Sequence, residues 1–226
     1  KKAALAGENP ALCYFNLANA YFQQDSLPQS IVYYKACLGY APDFFRGYLN
    51  LAIAYFTLED LGGSIATIKR ALELEPGHEK SLLLLAASYR KAGALPEAVS
   101  TFERLVVSYP AKEEPYIALA EMYRELGDNQ EAAKWLLRYP ESGKNESYVL
   151  NLLADIYESQ GNLDKALYYL QRAFELDMGN KWAFYRTVTL HQKMGNTLVA
   201  LERARGGLEL LPEFAQLALL AGNLAF

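Results

Sequence analysis

From Ala11 onward, apolar and small residues fall at helical spacing in paired stripes, and the whole pattern returns every 34 residues. Units open at Ala11, Phe45, Glu79, Glu113, Ser147 and Lys181, giving repeats 11–44, 45–78, 79–112, 113–146, 147–180 and 181–214, with partial units 1–10 and 215–226. Within a unit, positions 4, 7, 8 and 11 share one face of a first helix, and positions 20, 24 and 27 share one face of a second. Position 7 holds Leu17, Leu51, Leu85, Leu119 and Leu153, then Thr187. Position 8 holds Ala18, Ala52, Ala86, Ala120 and Ala154, then Val188. Position 11 holds Tyr21, Tyr55, Tyr89, Tyr123 and Tyr157, then His191. Position 20 is always small: Ser30, Ser64, Ala98, Ala132, Ala166 and Ala200. Alanine at position 8 facing a small residue at position 20 lets two helices approach closely, and a larger side chain there would overpack the contact.

Turn residues fall between the stripes. Gly93, Gly127, Gly161 and Gly195 occupy position 15, where a left-handed residue ends a first helix. Pro28 and Pro96 suit the first turn of a second helix, and Pro42, Pro76, Pro110 and Pro212 at position 32 stop it. The spacing predicts helices over 11–24, 28–40, 43–58, 61–74, 77–92, 95–108, 113–126, 148–160 and 163–176. The second helix of the fourth unit starts near Asn129 but meets Pro140 four positions early, which predicts a shortened helix and a local bend, or alternatively a hinge between two binding halves. The tail from Ala215 carries Leu220 and Leu224 on an apolar face expected to cover the sixth unit.

This pattern resembles the tetratricopeptide repeat (TPR) family over nearly the whole chain, six consecutive units in one register. The resemblance implies an all-α fold, a right-handed superhelical solenoid of antiparallel helix pairs forming a single domain. It speaks for the scaffold and not for the ligand, because the matching residues build the scaffold.

Composition narrows the picture further. The chain has 226 residues, 52% of them hydrophobic, but no run approaches the roughly 20 apolar residues of a membrane span. A net charge of -4 argues against nucleic acid as a partner. The chain is expected to be soluble, with the cytoplasm favoured over a periplasmic or secreted setting. Both ends fall inside repeat elements, so the chain reads as a segment of something longer. Cys13 and Cys37 lie where an antiparallel helix pair brings them near each other, as free thiols or, in an oxidising compartment, a disulfide. No Cys/His cluster predicts a metal, no motif predicts a cofactor, and no nucleophile–base set predicts catalysis. Gly62-Gly63 lacks the Gly-Lys-Ser/Thr ending of a phosphate loop. His191 is expected to stand in for the packed tyrosine.

In the resembled family, positions 2, 5, 6, 9, 12 and 13 of the first helices line a concave groove. Here the first three units place Leu12, Phe15, Asn16, Asn19 and Phe22; Arg46, Leu49, Asn50, Ile53 and Phe56; and Lys80, Leu83, Leu84, Ala87 and Arg90 on that lining. Apolar notches beside amide donors suit an extended or helical peptide. Later units turn acidic and aromatic with Glu121, Arg124, Tyr148, Asn151, Asp155, Glu158, Trp182 and Tyr185, which suits a basic segment with apolar anchors.

One subgroup of the family grips the carboxy-terminal acid of heat-shock chaperones with five polar residues. Asn19, Asn50 and Lys80 match that set, but Phe15 and Leu84 replace a lysine and an arginine. Each charge-assisted hydrogen bond lost removes about 1.5–3 kcal/mol. Calorimetric titration with an acidic chaperone tail is therefore expected to show no micromolar binding. Asn16 and Asn50 also resemble part of the asparagine ladder of Ser/Thr glycosyltransferases, in two of six units.

Three functions fit: a protein-interaction scaffold holding a peptide or partner helix in the groove, a regulatory or substrate-selecting segment of a larger enzyme, and a module that self-associates through exposed solenoid ends.

Overall fold

The computed structural model describes residues 9–140, 144–210 and 212–225. Residues 1–8 of the first partial unit, the centre of the loop after Pro140, Leu211 and Phe226 therefore lie outside the described residues. Among those described there are helices and no strands. The helices are α1 (Pro10–Gln23), α2 (Leu27–Tyr40), α3 (Phe45–Thr57), α4 (Leu61–Leu74), α5 (Glu79–Lys91), α6 (Leu95–Ser108), α7 (Glu114–Glu125), α8 (Asn129–Leu137), α9 (Glu146–Ser159), α10 (Leu163–Leu176), α11 (Lys181–Lys193), α12 (Thr197–Leu210) and α13 (Ala215–Leu224).

These bounds follow the sequence pattern to within a residue or two, and caps account for most of the differences. Asn9 accepts a hydrogen bond from the Ala11 N–H, which starts α1 one residue early at Pro10. His78 caps α5 through its Nδ1, which accepts from the Ser81 N–H, so that helix starts at Glu79 rather than Gly77. Asp60, Asp128, Asn162 and Asn180 cap four others. Gly93, Gly127, Gly161 and Gly195 all have φ between +74° and +80°. In the first two units Asp25 (φ +58°) and Glu59 (φ +64°) make the same left-handed turn without glycine.

The chain divides into two compact units, residues 1–115 and 116–226. In the first, α1 to α6 pack consecutively. Ala18, Ala52, Ala86, Ser30, Ser64 and Ala98 are fully buried at the seams. The hydroxyls of Ser64 and Ser88 meet at 3.1 Å inside one of them. Leu51 of the second repeat packs with Ala18, Ile31 and Tyr34 of the first. The position-11 tyrosines Tyr21, Tyr55 and Tyr89 are half-buried. Cys13 and Cys37 are not joined in a disulfide.

In the second unit, α8 to α13 again pack consecutively. Tyr116 of α7 lies against Trp135 and Tyr139, with ring centroids at 6.3 and 6.5 Å. Helix α8 is shortened to nine residues ahead of Pro140, and the Tyr139 hydroxyl accepts from the Asn145 N–H at 3.1 Å across the loop. Leu217, Leu220, Ala221 and Leu224 of α13 cover Val188, Ala200 and Ala204 of the sixth repeat. No helix among the described residues is long and apolar enough to cross a membrane.

Candidate functional site

The first helices α1 and α3 bring Asn19, Phe22, Gln23, Asn50 and Ile53 together with Tyr34 of α2 around a pocket of about 300 Å³. Repeat geometry sets this up. Asn19 and Ile53 both stand at position 9 of their units, and Asn50 at position 6, one helical turn before Ile53. The Asn19 Oδ1 accepts from the Tyr34 hydroxyl at 2.6 Å and from the Asn50 Nδ2 at 3.0 Å. Burial pushes the Tyr34 phenol above its ordinary value, against a smaller opposing pull from the Asn50 amide. Tyr34 is therefore a neutral donor at any physiological pH.

The other expected lining residues of the first unit are placed unequally. Phe15 is drawn into packing, 5.9 Å from Tyr34 and 5.0 Å edge-on to Phe44. Phe56 is half-buried, with the Lys91 Nζ 5.6 Å over its ring. Arg46 and Lys80 are exposed, while Leu49, Leu83, Leu84, Ala87 and Arg90 are half-buried.

In the second unit two of the expected acidic residues are paired within the chain. Arg186 lies 2.6 Å from Asp155 and 3.0 Å from Glu158, and Lys193 lies 3.2 Å from Glu158. Asp155 and Glu158 are thereby paired across to the sixth repeat, while the lining positions of the fourth repeat carry Glu114, Glu121 and Glu125 against Arg124. Asn151 donates to the Ser147 carbonyl at 2.8 Å, and Tyr148 donates to Glu121 at 3.3 Å. Trp182 is half-exposed and makes edge contacts to Tyr185 and Phe214. Sequence reasoning missed Arg186 and Lys193, although they stand at lining positions 6 and 13 of the sixth repeat. Pairing each lining charge with the same face of the next repeat would have found them.

Burial alone would raise the Glu158 carboxyl, but hydrogen bonds and charge from Arg186 and Lys193 outweigh it and hold it below the ordinary carboxylate value. A depressed folded pKa contributes stability above the unfolded value of about 4.3 and loses it as pH falls through the folded pKa. Arg186→Met is expected to cost about 1 kcal/mol at pH 7. In urea melts the gap to wild type should narrow by pH 3.5, where the carboxylates take up protons.

Among the described residues no group of His, Cys, Asp and Glu side chains is arranged to hold a metal.

Family models described as tetratricopeptide repeat match residues 15–79, 49–113, 89–156 and 147–180. Stacked antiparallel helix pairs of this kind build protein-interaction scaffolds. The chain belongs to the tetratricopeptide repeat family. Curated protein sequences give no significant match. The fold is similar to MamA from Desulfovibrio magneticus, at 17% identity and a TM-score of 0.64 over 77% of this chain and 99% of that one. It is similar to a tetratricopeptide repeat protein from Parabacteroides merdae, at 16% identity and a TM-score of 0.66 over 96% and 86% of the two chains. It is also similar to YrrB, a TPR protein with an unusual peptide-binding site, at 22% identity and a TM-score of 0.60 over 84% and 97%. At these identities the likeness shows the fold.

Proposed function

We propose that this protein is a scaffold that binds an extended peptide or a partner helix on the first-helix face of its amino-terminal repeats. The carrying observation is the pocket in which Asn19, Asn50 and Tyr34 stand beside Phe22 and Ile53. The Asn19 amide oxygen is committed to Tyr34 and Asn50, which leaves its N–H donors for a peptide carbonyl. Phe22 and Ile53 supply apolar walls for the intervening side chain. The peptide-binding site of YrrB, a structural neighbour, is in keeping with this reading.

A dodecapeptide phage library selected on the wild-type protein should yield sequences that bind at micromolar strength, about -8 kcal/mol. In calorimetry, the Phe22→Ala/Phe56→Ala protein, with helix content retained by circular dichroism, should bind them at least tenfold more weakly. Selected peptides that bind both proteins equally would place the interaction elsewhere.

A further inference from the structure

A second cavity, of about 600 Å³, opens between α4, α5 and α6 and shares no residue with the pocket at Asn19. Lys69, Tyr89, Glu97, Ser100, Thr101 and Arg104 are among the residues around it. The repeats themselves indicate what is missing from it. In the first repeat, Tyr33 at position 23 stacks on Tyr21 at position 11, with centroids 5.2 Å apart and planes within 7°. In the fifth, Tyr169 stacks on Tyr157 at the same two positions, at 5.5 Å and 6°. In the second and third repeats the position-11 rings are Tyr55 and Tyr89, but position 23 is threonine, Thr67 and Thr101, and of these two the third repeat has the cavity. Tyr89 and Thr101 both wall it. Thr101 is buried and donates its hydroxyl to the Glu97 carbonyl at 2.7 Å, so it supplies no ring to stack on Tyr89. The Lys69 Nζ stands 5.5 Å from the ring centroid.

We infer that this cavity is a seat for a tyrosine side chain presented by a partner protein, stacking on Tyr89 as Tyr33 stacks on Tyr21. Two aromatic rings in offset stacking are attracted beyond the area they bury. The cavity falls in the size range of binding pockets. Lys69 and Arg104 as donors and Glu97 as acceptor suit a phenolic hydroxyl at the rim. A polypeptide fits better than a free amino acid because a second cavity of about 300 Å³ shares Ser100 and Arg104 and runs on to Pro76 and Val107. Val107 is 82% exposed there, an apolar site for a residue next to the tyrosine.

The test is a titration of the whole protein, with the Tyr89 ring and Thr101 methyl signals followed by NMR. The probes are acetyl-Tyr-Ala-Leu-amide, acetyl-Ala-Ala-Leu-amide and free tyrosine. The tyrosine peptide should give saturable shifts at both residues in the millimolar range, several-fold tighter than free tyrosine, and the alanine peptide none. Thr101→Tyr, which fills the seat from within, and Tyr89→Leu, which removes its floor, should each weaken the tyrosine peptide at least tenfold. Either variant suffices if the other fails to fold. Equal shifts from both peptides, free tyrosine binding as tightly as the peptide, or undiminished binding by a folded variant would overturn the assignment. Because Phe22 and Phe56 are not involved, their double variant should bind the tyrosine peptide normally.

Discussion

Leu51→Ala is expected to destabilise the first unit by about 2–5 kcal/mol, while Leu17→Ala, at the same repeat position, should cost about 1 kcal/mol or less. The two residues share type and register but not surroundings. Leu51 is 4% exposed and packs into the core of the preceding helix pair, beside Ala18, Ile31 and Tyr34. Leu17 is 40% exposed. In a repeat array, stability is roughly a sum of unit terms and nearest-neighbour interface terms. Deleting the Leu51 side chain opens a cavity at such an interface, where tight packing leaves little room for collapse. Deleting that of Leu17 mostly returns water to a place it already reaches. Urea unfolding of both variants, followed by circular dichroism, checks the contrast. Equal losses would mean that burial at position 7 is intrinsic to each repeat rather than supplied by its neighbour.

That contrast also marks what the sequence could and could not reveal. Position 7 was legible because a leucine every 34 residues beside an alanine has one economical explanation, a packed seam. Its exposure in the first repeat was not, because exposure depends on the neighbouring pair and not on the residue. The turn after α1 and α3 was hidden for a related reason. Asp25 gives only a weak left-handed signal and Glu59 none, yet register forces them to φ +58° and +64°. The shortening of α8 was legible, since Pro140 cannot continue a helix without losing a hydrogen bond. The candidate site was half legible. Repeat spacing brings Asn19, Phe22, Asn50 and Ile53 to one pocket, but it says nothing of how Asp155 and Glu158 are paired. Repeat spacing puts Arg186 and Lys193 on the same lining face one repeat on and so names them as candidates, but which carboxylate each one meets needs the distance between faces. The cavity at Tyr89 escaped for the opposite reason: threonine at position 23 occurs in two repeats, Thr67 and Thr101, and only the packing shows that the third has a cavity beside it.

His191→Phe should raise the stability of the second unit by about 1–3 kcal/mol near pH 7. His191 stands at position 11 of the sixth repeat, where the five preceding repeats have a half-buried tyrosine. Here the ring is 8% exposed, and neither nitrogen has a hydrogen-bond partner among the described residues. A neutral imidazole buries one donor and one acceptor, and leaving them unpaired costs their desolvation. Phenylalanine fills a similar shape without that cost. The effect should depend on pH with a definite sign. Burial, and then the Arg203 charge, lower the His191 pKa from its ordinary value. Below about pH 6.5 the unfolded chain binds a proton that the folded chain resists. Wild-type stability should therefore fall as pH drops through that value, and the advantage of His191→Phe should grow from pH 7.5 to pH 5. Thermal melts of both proteins across that range read the difference directly. A gap that stays constant, or closes toward low pH, would show that the ring is already paired or protonated in the folded protein.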